Sequence, residues 1–536
     1  MKDKFLPVLI LLTILTISTF STVTAQAPNI LLVIADDLGV DYCNGYHNSN
    51  QLPTTPTLDG LRANGITFEN VFSTPKCTPS RATIMSGKYG VKTGVLGTPG
   101  DLNTVHTSIF KAIEDETNGQ YADAVIGKWH ISQPADPSHP IAHGVDYYMG
   151  VLSAAVDDYY AWERTENGQT TIDSTYATTA FTDAAIDWVA EQTQPWFLWL
   201  AHVAPHAPFH VPPDGLFTID NTENNRRKYV AMIEAMDHEL GRLLSSLSPD
   251  VLQNTLVIFI GDNGTPNTVL QDYPDGHGKS TLYQGGIRVP MIASGAGVTR
   301  MGERESALVH ITDIYATLLE AVGADLPGGV FNSLSFYHLL NDPATGDTRD
   351  YNYSEIEENG ASGFTIRTDR YKLIESLDDG TQEFYDLLLD SLETTDLLPL
   401  GLDANQLTIK ADLEQEAQQV RTAWSCRDYI QNGDEAGIDC GGTYCDPCAV
   451  TNTETILALD DINIYPNPTT DELHIRSSST RFSVQLLDAF GSIHFQTTAS
   501  QTQHLLQLSS LPPGIYFVKM VAGNGDMWVT EKIIKL

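Results

Sequence analysis

Basic residues are scarce in this chain. Its 536 residues hold 30 Lys+Arg against 68 Asp+Glu, a formal charge of −38. A nucleic-acid binder needs a net basic face, so nucleic acid is excluded as a partner. An anionic lipid surface is disfavoured on the same ground. Only 18% of residues are charged and 42% are hydrophobic, which argues against disorder throughout. Six cysteines are too few for a disulfide framework of this size. Beyond the N-terminus no apolar run approaches the roughly 20 residues of a membrane span. A Gly-x-Ser-x-Gly elbow is missing, and the zincin motif begun by His238-Glu239 fails at Arg242. At roughly 150 residues per domain, the length suggests about three or four domains.

The N-terminus does carry a signal. Lys2 and Lys4 precede an apolar run, Leu6–Phe20, and Val23-Thr24-Ala25 supplies small residues for a signal peptidase. This reads as a secretory signal over residues 1–25, leaving a mature chain from near Gln26 in an oxidising compartment. From Pro28 to about Leu340, short apolar runs alternate with longer amphipathic ones. Asn29–Ala35, Ala122–Ile126, Trp196–Ala201 and Thr255–Ile260 read as buried strands. Thr171–Glu191, Asn225–Leu247 and Ala307–Val322 read as helices. Strand–helix alternation predicts an α/β domain with a mainly parallel sheet. Gly363–Ile374 and Glu383–Leu387 predict a small antiparallel sheet with a closing helix, a second lobe of the same unit. A cysteine cluster (Cys426, Cys440, Cys445, Cys448) and a polar linker follow, and the last stretch alternates as an all-β module with an Asn524-Gly525 turn. The expected divisions are 1–25, 26–345, 346–424, 425–460 and 461–536.

Ligands of open α/β sheets bind beyond the carboxyl ends of the strands. The four predicted strands run into Asp36-Asp37, into Gly127-Lys128-Trp129-His130, towards Pro205-His206-Ala207-Pro208, and into Gly261-Asp262-Asn263-Gly264. Asp36, Asp37, Asp262 and the Asn263 amide make a hard-oxygen cation site, suited to Ca²⁺ or Mg²⁺. His130, His206 and Lys128 beside it suit an anionic substrate whose leaving group needs a proton. Any one strand-end Asp or His is more often a cap or loop residue; four ends with complementary chemistry are much rarer by chance. The fifth piece is Cys77-Thr78-Pro79-Ser80-Arg81, reading as a helix start with Thr78 as N-cap and Gly87 as its end. Taken alone, Cys77 there reads as a low-pKa nucleophile or as half of a disulfide with Cys43, and the pattern does not decide.

These residues resemble the formylglycine-dependent sulfatases. Cys77–Arg81 is similar to that family's Cys-x-Pro-Ser-Arg signature. DDLG at Asp36–Gly39, GKWH at Gly127–His130, APHAP at Ala204–Pro208, GDNG at Gly261–Gly264 and GKSTLYQGGIRVP at Gly278–Pro290 extend the likeness in order. It covers roughly residues 28 to 400. Two departures are mild: Met85-Ser86-Gly87-Lys88 stands for the usual Leu-Thr-Gly-Arg, and Ile131-Ser132 for Leu-Gly. The resemblance implies an alkaline-phosphatase-like α/β sandwich. It also implies oxidation of Cys77 to formylglycine by a maturation enzyme, attack of the hydrated aldehyde on a sulfate ester, and release of sulfate. By the matching positions Asp36, Asp37, Asp262 and Asn263 would hold the metal, usually Ca²⁺. Arg81 would stabilise the hydrate, Lys128 and Lys279 would contact sulfate oxygens, His130 would steer the hydrate, and His206 would protonate the leaving oxygen. A sulfated carbohydrate is the implied substrate class. His210, His277 and His310 read as surface or hydrogen-bonding residues, with His277 close enough to Lys279 to line the pocket.

The C-terminal spacing C-x13-C-x4-C-x2-C favours two disulfides over zinc in an exported chain. The segments IYPNPTTDEL and LPPGIYFVKM resemble the sorting domain of the type IX secretion system, implying export and outer-membrane secretion machinery as partners. Two other readings stand beside the sulfatase: a phosphoester or phosphonate-ester hydrolase on the same scaffold, and a catalytically silent glycan-binding protein with an unmodified Cys77.

Overall fold

The computed structural model describes residues 27–422 apart from 47–51, 134, 328–331, 344 and 359. In the tail it describes 462–535 apart from 466–468, 471, 478–481, 489–492, 500–502, 510 and 523–527. The signal segment, the cysteine cluster, the linker and the Asn524-Gly525 turn lie outside the described residues.

Ten strands form the central sheet: β1 (Asn29–Ala35), β2 (Gly65–Phe72), β3 (Ala122–Lys128), β4 (Tyr147–Val151), β5 (Trp162–Glu166), β6 (Gln169–Asp173), β7 (Trp196–His202), β8 (Thr255–Gly261), β9 (Met291–Gly295) and β10 (Glu303–His310). Their order is β10-β2-β9-β8-β1-β7-β3-β4-β5-β6. The middle of the sheet, β8-β1-β7-β3-β4, is parallel throughout. β1 is apolar at nearly every position because both its faces are covered. Ile30, Leu32 and Ile34 enter one hydrophobic core, and Leu31, Val33 and Ala35 enter another on the opposite face. This is the expected α/β sandwich.

Two expected helices are shorter than their apolar periodicity suggested. In Thr171–Glu191 the β-branched run Thr170-Thr171-Ile172 pairs antiparallel with β5 as β6, and the helix is Ala177–Ala190. In Ala307–Val322 the run Ala307-Leu308-Val309 completes β10, parallel to β2, and the helix is Asp313–Ala321. Short apolar runs do not separate strand from helix by periodicity alone. The helix Asn225–Ser246 falls where it was expected, with the Asn224 side chain accepting the Arg227 amide as its N-cap.

A four-stranded antiparallel sheet follows: β11 (Asn352–Glu358), β12 (Ala361–Arg367), β13 (Tyr371–Ser376) and β14 (Gln382–Asp386). The stretch Gly363–Ile374, expected to belong to a small antiparallel sheet, supplies two of its strands as a hairpin reversed over Thr368–Arg370. The helix Ala404–Thr422 closes this sheet with Leu413, Ala417 and Val420.

The tail forms a second compact unit with two antiparallel sheets. Leu473 and Ile475 from one sheet, and Val484, Leu486 and Val518 from the other, share one core at i, i+2 spacing, which makes it a β-sandwich.

Candidate active site

Because the middle strands are parallel, their carboxyl ends meet at one edge, with Ala35 in register with His202 and Gly261, and Gly127 with Ala201. The chain turns sharply at these ends. Asp37 and His130 hold left-handed backbones, φ 68° and 56°, conformations kept only where surrounding contacts enforce them. A side chain at Gly264 would put its Cβ 1.9 Å from the Gly285 carbonyl, so the GDNG turn packs directly on the later Gly285-Gly286.

The floor of the site is a dry ionic cluster. Lys128 Nζ donates to Asp36 Oδ2 at 2.6 Å, and Arg81 Nη2 donates to Asp262 Oδ2 at 2.9 Å and lies 3.8 Å from Asp36 Oδ1. Arg81 Nη1 also donates to the Lys128 carbonyl, and the Asp37 amide donates to Asp262 Oδ1. All four charged side chains are wholly buried. Burial raises the Asp36 carboxyl, but Lys128, His206, Arg81 and Lys279 outweigh it and hold Asp36 below the usual carboxylate range. Burial and the neighbouring Asp36 push Asp262 up to about 7.

Cys77 begins the helix Cys77–Ser86, and its Sγ lies 3.3 Å from His130 Nδ1. Gly87 ends that helix in the left-handed conformation, as expected. The expected N-cap does not hold: Lys76 occupies the cap position without a side-chain bond. Thr78 is inside the helix with its hydroxyl 3.1 Å from His130 Nε2 and held by the Thr98 hydroxyl at 3.0 Å. Nor is Cys77 a low-pKa thiol: burial raises it, and the nearby Lys128 and Lys279 do not offset that. Cys43 and Cys77 are both free and buried, with no bond between them.

The mouth is formed by His206 and Lys279. Lys279 Nζ is paired with Asp37 Oδ1, and burial is overcome by Asp37 and its neighbours, so its ammonium form is favoured. His206 Nδ1 donates to the Ala207 carbonyl at 2.7 Å, which leaves Nε2 as the working nitrogen, 3.6 Å from Asp37 Oδ2. A positive His206 can therefore present a proton from Nε2.

The donor set fits a hard divalent cation. Asp36 Oδ1 and Asn263 Oδ1 are buried without a hydrogen-bond partner among the described residues. Asn263 Nδ2 donates to Asp37 Oδ1 at 2.8 Å, which leaves its carbonyl oxygen free to coordinate. Ligand atoms of Asp36, Asp37 and His206 lie within 4.8 Å of one another. The carboxylate and amide oxygens of this set suit Ca²⁺ or Mg²⁺.

The structure thus brings together Asp36, Asp37, Cys77, Arg81, Lys128, His130, His206, Asp262, Asn263 and Lys279. The other histidines are set apart by their contacts. His210 packs on Tyr159 and meets the Tyr176 hydroxyl. His277 stacks flat on Tyr283 at 3.6 Å. His310, expected as a surface or hydrogen-bonding residue, is the latter: it is wholly buried and hydrogen-bonded to Thr312. The sequence reading missed Thr78 as a partner of His130, although it stands within the signature. It also missed Tyr229, whose hydroxyl donates to the Asp37 carbonyl at 2.6 Å from a helix position that reads as plain core.

Comparison with known proteins agrees with this geometry. The sulfatase family model matches residues 28–324, more than half of the chain. This chain is a member of the sulfatase family. Residues 276–423 match the C-terminal domain of N-sulphoglucosamine sulphohydrolase, and residues 463–536 match a secretion system C-terminal sorting domain. The sulfatase is 29% identical over 320 residues to arylsulfatase J of Mus musculus, covering 56% of this chain and 53% of that protein. It is 27% identical over 343 residues to N-acetylgalactosamine-6-sulfatase of Homo sapiens, covering 56% and 63%. The chain thus spans between half and two thirds of the length of these curated relatives. Among solved structures, it resembles Ps i-CgsB in complex with k-i-k-neocarrahexaose, with a TM-score of 0.64 and 26% identity over 74% of this chain and 92% of that one. The fold is also that of a protein solved with its substrate D-glucosamine-2-N,6-O-disulfate, with a TM-score of 0.63 and 20% identity over 76% and 100%. Among the described residues no helix is long and apolar enough to cross a membrane.

Proposed function

We propose that this sulfatase hydrolyses sulfate esters of a carbohydrate outside the cell, using Cys77 after its conversion to formylglycine. The observation that carries the reading is the position of Cys77: at a helix start, 3.3 Å from His130, beside a buried cluster of carboxylates and cations. Formylglycine supplies, as its hydrate, the hydroxyl that attacks sulfur. Asp36, Asp37, Asp262 and Asn263 would hold a divalent cation, Ca²⁺ or Mg²⁺, which would supply positive charge to the sulfuryl oxygens.

The remaining work falls to the chain's own side chains. Lys128 and Lys279 stabilise the spread negative charge of the transferring group, and the dry floor strengthens their effect. Arg81 fixes Asp262 and stabilises the hydrate. His130 stands beside residue 77 and steers the hydrate; burial together with Lys128 and Arg81 lowers its pKa, so the ring stays neutral. His206 gives its Nε2 proton to the departing alcohol oxygen, which leaves badly without one. The neocarrahexaose bound to Ps i-CgsB and the name of the galactosamine sulfatase support a sugar substrate for this chain. The sorting-domain match supports secretion by the type IX route.

The deciding experiment is the mass of the tryptic peptide Cys77–Arg81 from protein made in a host with a maturation enzyme. Loss of the thiol sulfur with gain of an aldehyde is expected; an intact thiol would make the silent glycan-binding reading the better one. Rates on aryl sulfate and aryl phosphate complete the test, and a faster phosphate reaction would replace the sulfatase with a phosphoester hydrolase. Calcium should raise the melting temperature of the wild type and leave that of Asp262→Ala unmoved.

A further inference from the structure

No strand holds Lys279. It lies in the stretch between β8 and β9, where the only regular element is the single helical turn Gln284–Ile287. On its inner side three backbone amides of the segment are anchored. The Lys279 amide donates to the Thr265 carbonyl at 2.8 Å, the Gly278 amide donates to Asn267 Oδ1, and the Ser280 amide donates to the Pro75 carbonyl at 2.9 Å. Ser280 itself is held at φ 74°.

On its outer side the segment is gripped by the antiparallel lobe. Lys372 of β13 donates from Nζ to the Leu282 carbonyl at 2.7 Å and to Glu393 Oε1 at 2.5 Å. The other oxygen, Glu393 Oε2, accepts the Gln284 amide at 2.5 Å. Between these two contacts the Tyr283 hydroxyl donates to Glu383 of β14 at 2.8 Å. Both side chains of the Lys372–Glu393 pair are wholly buried, and Glu393 keeps a left-handed backbone, φ 58°, to turn its carboxylate inward.

A buried ion pair is a poor choice for stability alone, because apolar side chains of the same volume often do as well. What it does better is fix register, and this pair fixes two backbone groups of the segment that carries Lys279. We infer that the Lys372–Glu393 pair is a positioning device through which the antiparallel lobe sets the place of Lys279 in the site. The inference rests on the reading of Lys279 as the group that meets sulfate. Lys372 and Glu393 touch no reacting atom; they act through the backbone at Leu282 and Gln284.

A double-mutant cycle tests this. Lys372→Met and Tyr283→Phe are made alone and with Lys279→Met in the full chain. Turnover of 4-nitrophenyl sulfate and the thermal shift produced by inorganic sulfate are measured for each. Lys372→Met should lower kcat/KM by about 10- to 100-fold, the scale of an ångström-sized misplacement. In the Lys279→Met background it should add no more than about a twofold loss, because the two changes remove one function. Losses that multiply, or a folded Lys372→Met protein with wild-type kcat/KM, would overturn the inference. Where Lys372→Met fails to fold, Tyr283→Phe removes a single hydroxyl and carries the same cycle with the same non-additivity. If the wild type releases no sulfate from any ester, the parent reading fails. The sulfate-induced thermal shift then decides the positioning role: loss in both Lys279→Met and Lys372→Met supports it, and a shift retained in Lys372→Met refutes it.

Discussion

The floor and the mouth of the site both set basic side chains against carboxylates, but at different depths from solvent. Arg81, Lys128, Asp36 and Asp262 have no exposed side-chain surface, whereas His206 and Lys279 keep 18% and 15%. Each floor charge is held by an opposite charge at hydrogen-bond distance, so none can move without leaving a partner bare. The mouth groups share one carboxylate, Asp37, and can exchange that contact for a substrate. The contrast teaches a division of labour: buried charge is architecture that doubles as an electrostatic template, and half-buried charge handles the proton and the incoming ester.

The sharpest break in this scheme lies at the boundary between the two regions. Cys77→Ala should abolish turnover and leave the melting temperature close to wild type, since among the described residues the thiol's one hydrogen-bond contact is with His130. Residual turnover in purified Cys77→Ala would sink the proposed nucleophile. Next in size comes Lys128→Met. It strips Asp36 of its closest cation inside a dry site, so it should lower stability by about 3–5 kcal/mol as well as kcat by about 10²–10³-fold. Lys279→Met should show a comparable loss of kcat with a much smaller loss of stability. Denaturant titration of the two variants side by side checks the contrast, and equal destabilisation would erase the distinction between floor and mouth.

A smaller effect isolates the proton. His206→Gln should slow hydrolysis of an alkyl sulfate by about 100-fold, the lower end of what a positioned acid contributes. On 4-nitrophenyl sulfate, whose leaving group needs little protonation, the loss should nearly vanish. A loss independent of the leaving group would assign His206 to ground-state binding instead.

Much of this was legible before any coordinates. Asn29–Ala35 forms a strand over the expected residues because six consecutive apolar positions, bounded by Asn29 and Asp36, fit a strand buried on both faces. The strand-end residues met at one edge because parallel strands leave no other option. The reading failed where local pattern and tertiary pairing disagree. Thr170–Ile172 is a β-branched run that a neighbouring strand claimed, and Ala307–Val309 is an apolar run that the sheet claimed. It also missed long-range anchors. Nothing near Lys372 or Glu393 in sequence announces that their side chains meet across 21 residues beneath the Lys279 segment.

The finest test compares two carboxylates that follow the same strand. Asp36 and Asp41 are equally buried, yet Asp36 faces cations and Asp41 faces none. Asp41 Oδ1 accepts the Thr265 hydroxyl at 2.5 Å and Oδ2 accepts the Gln271 amide at 3.1 Å, tying the first strand-end loop to the start of the Lys279 segment. Burial pushes Asp41 from its ordinary 3.8 up to about 7 despite these bonds. Its pKa is therefore higher in the folded than in the unfolded chain. Between about pH 4 and pH 7 the folded protein holds a proton that the unfolded chain has released, so this residue's contribution to stability falls as pH rises through that window. Asp41→Asn removes the titration while keeping an acceptor for Thr265. The fall in melting temperature between pH 5 and pH 8 should be smaller in Asp41→Asn than in the wild type, and an unchanged difference would mean that Asp41 stays ionised throughout. In that case burial without a cation would not suffice to hold a carboxyl neutral here, and the contrast with Asp36 would have to rest on geometry rather than on charge.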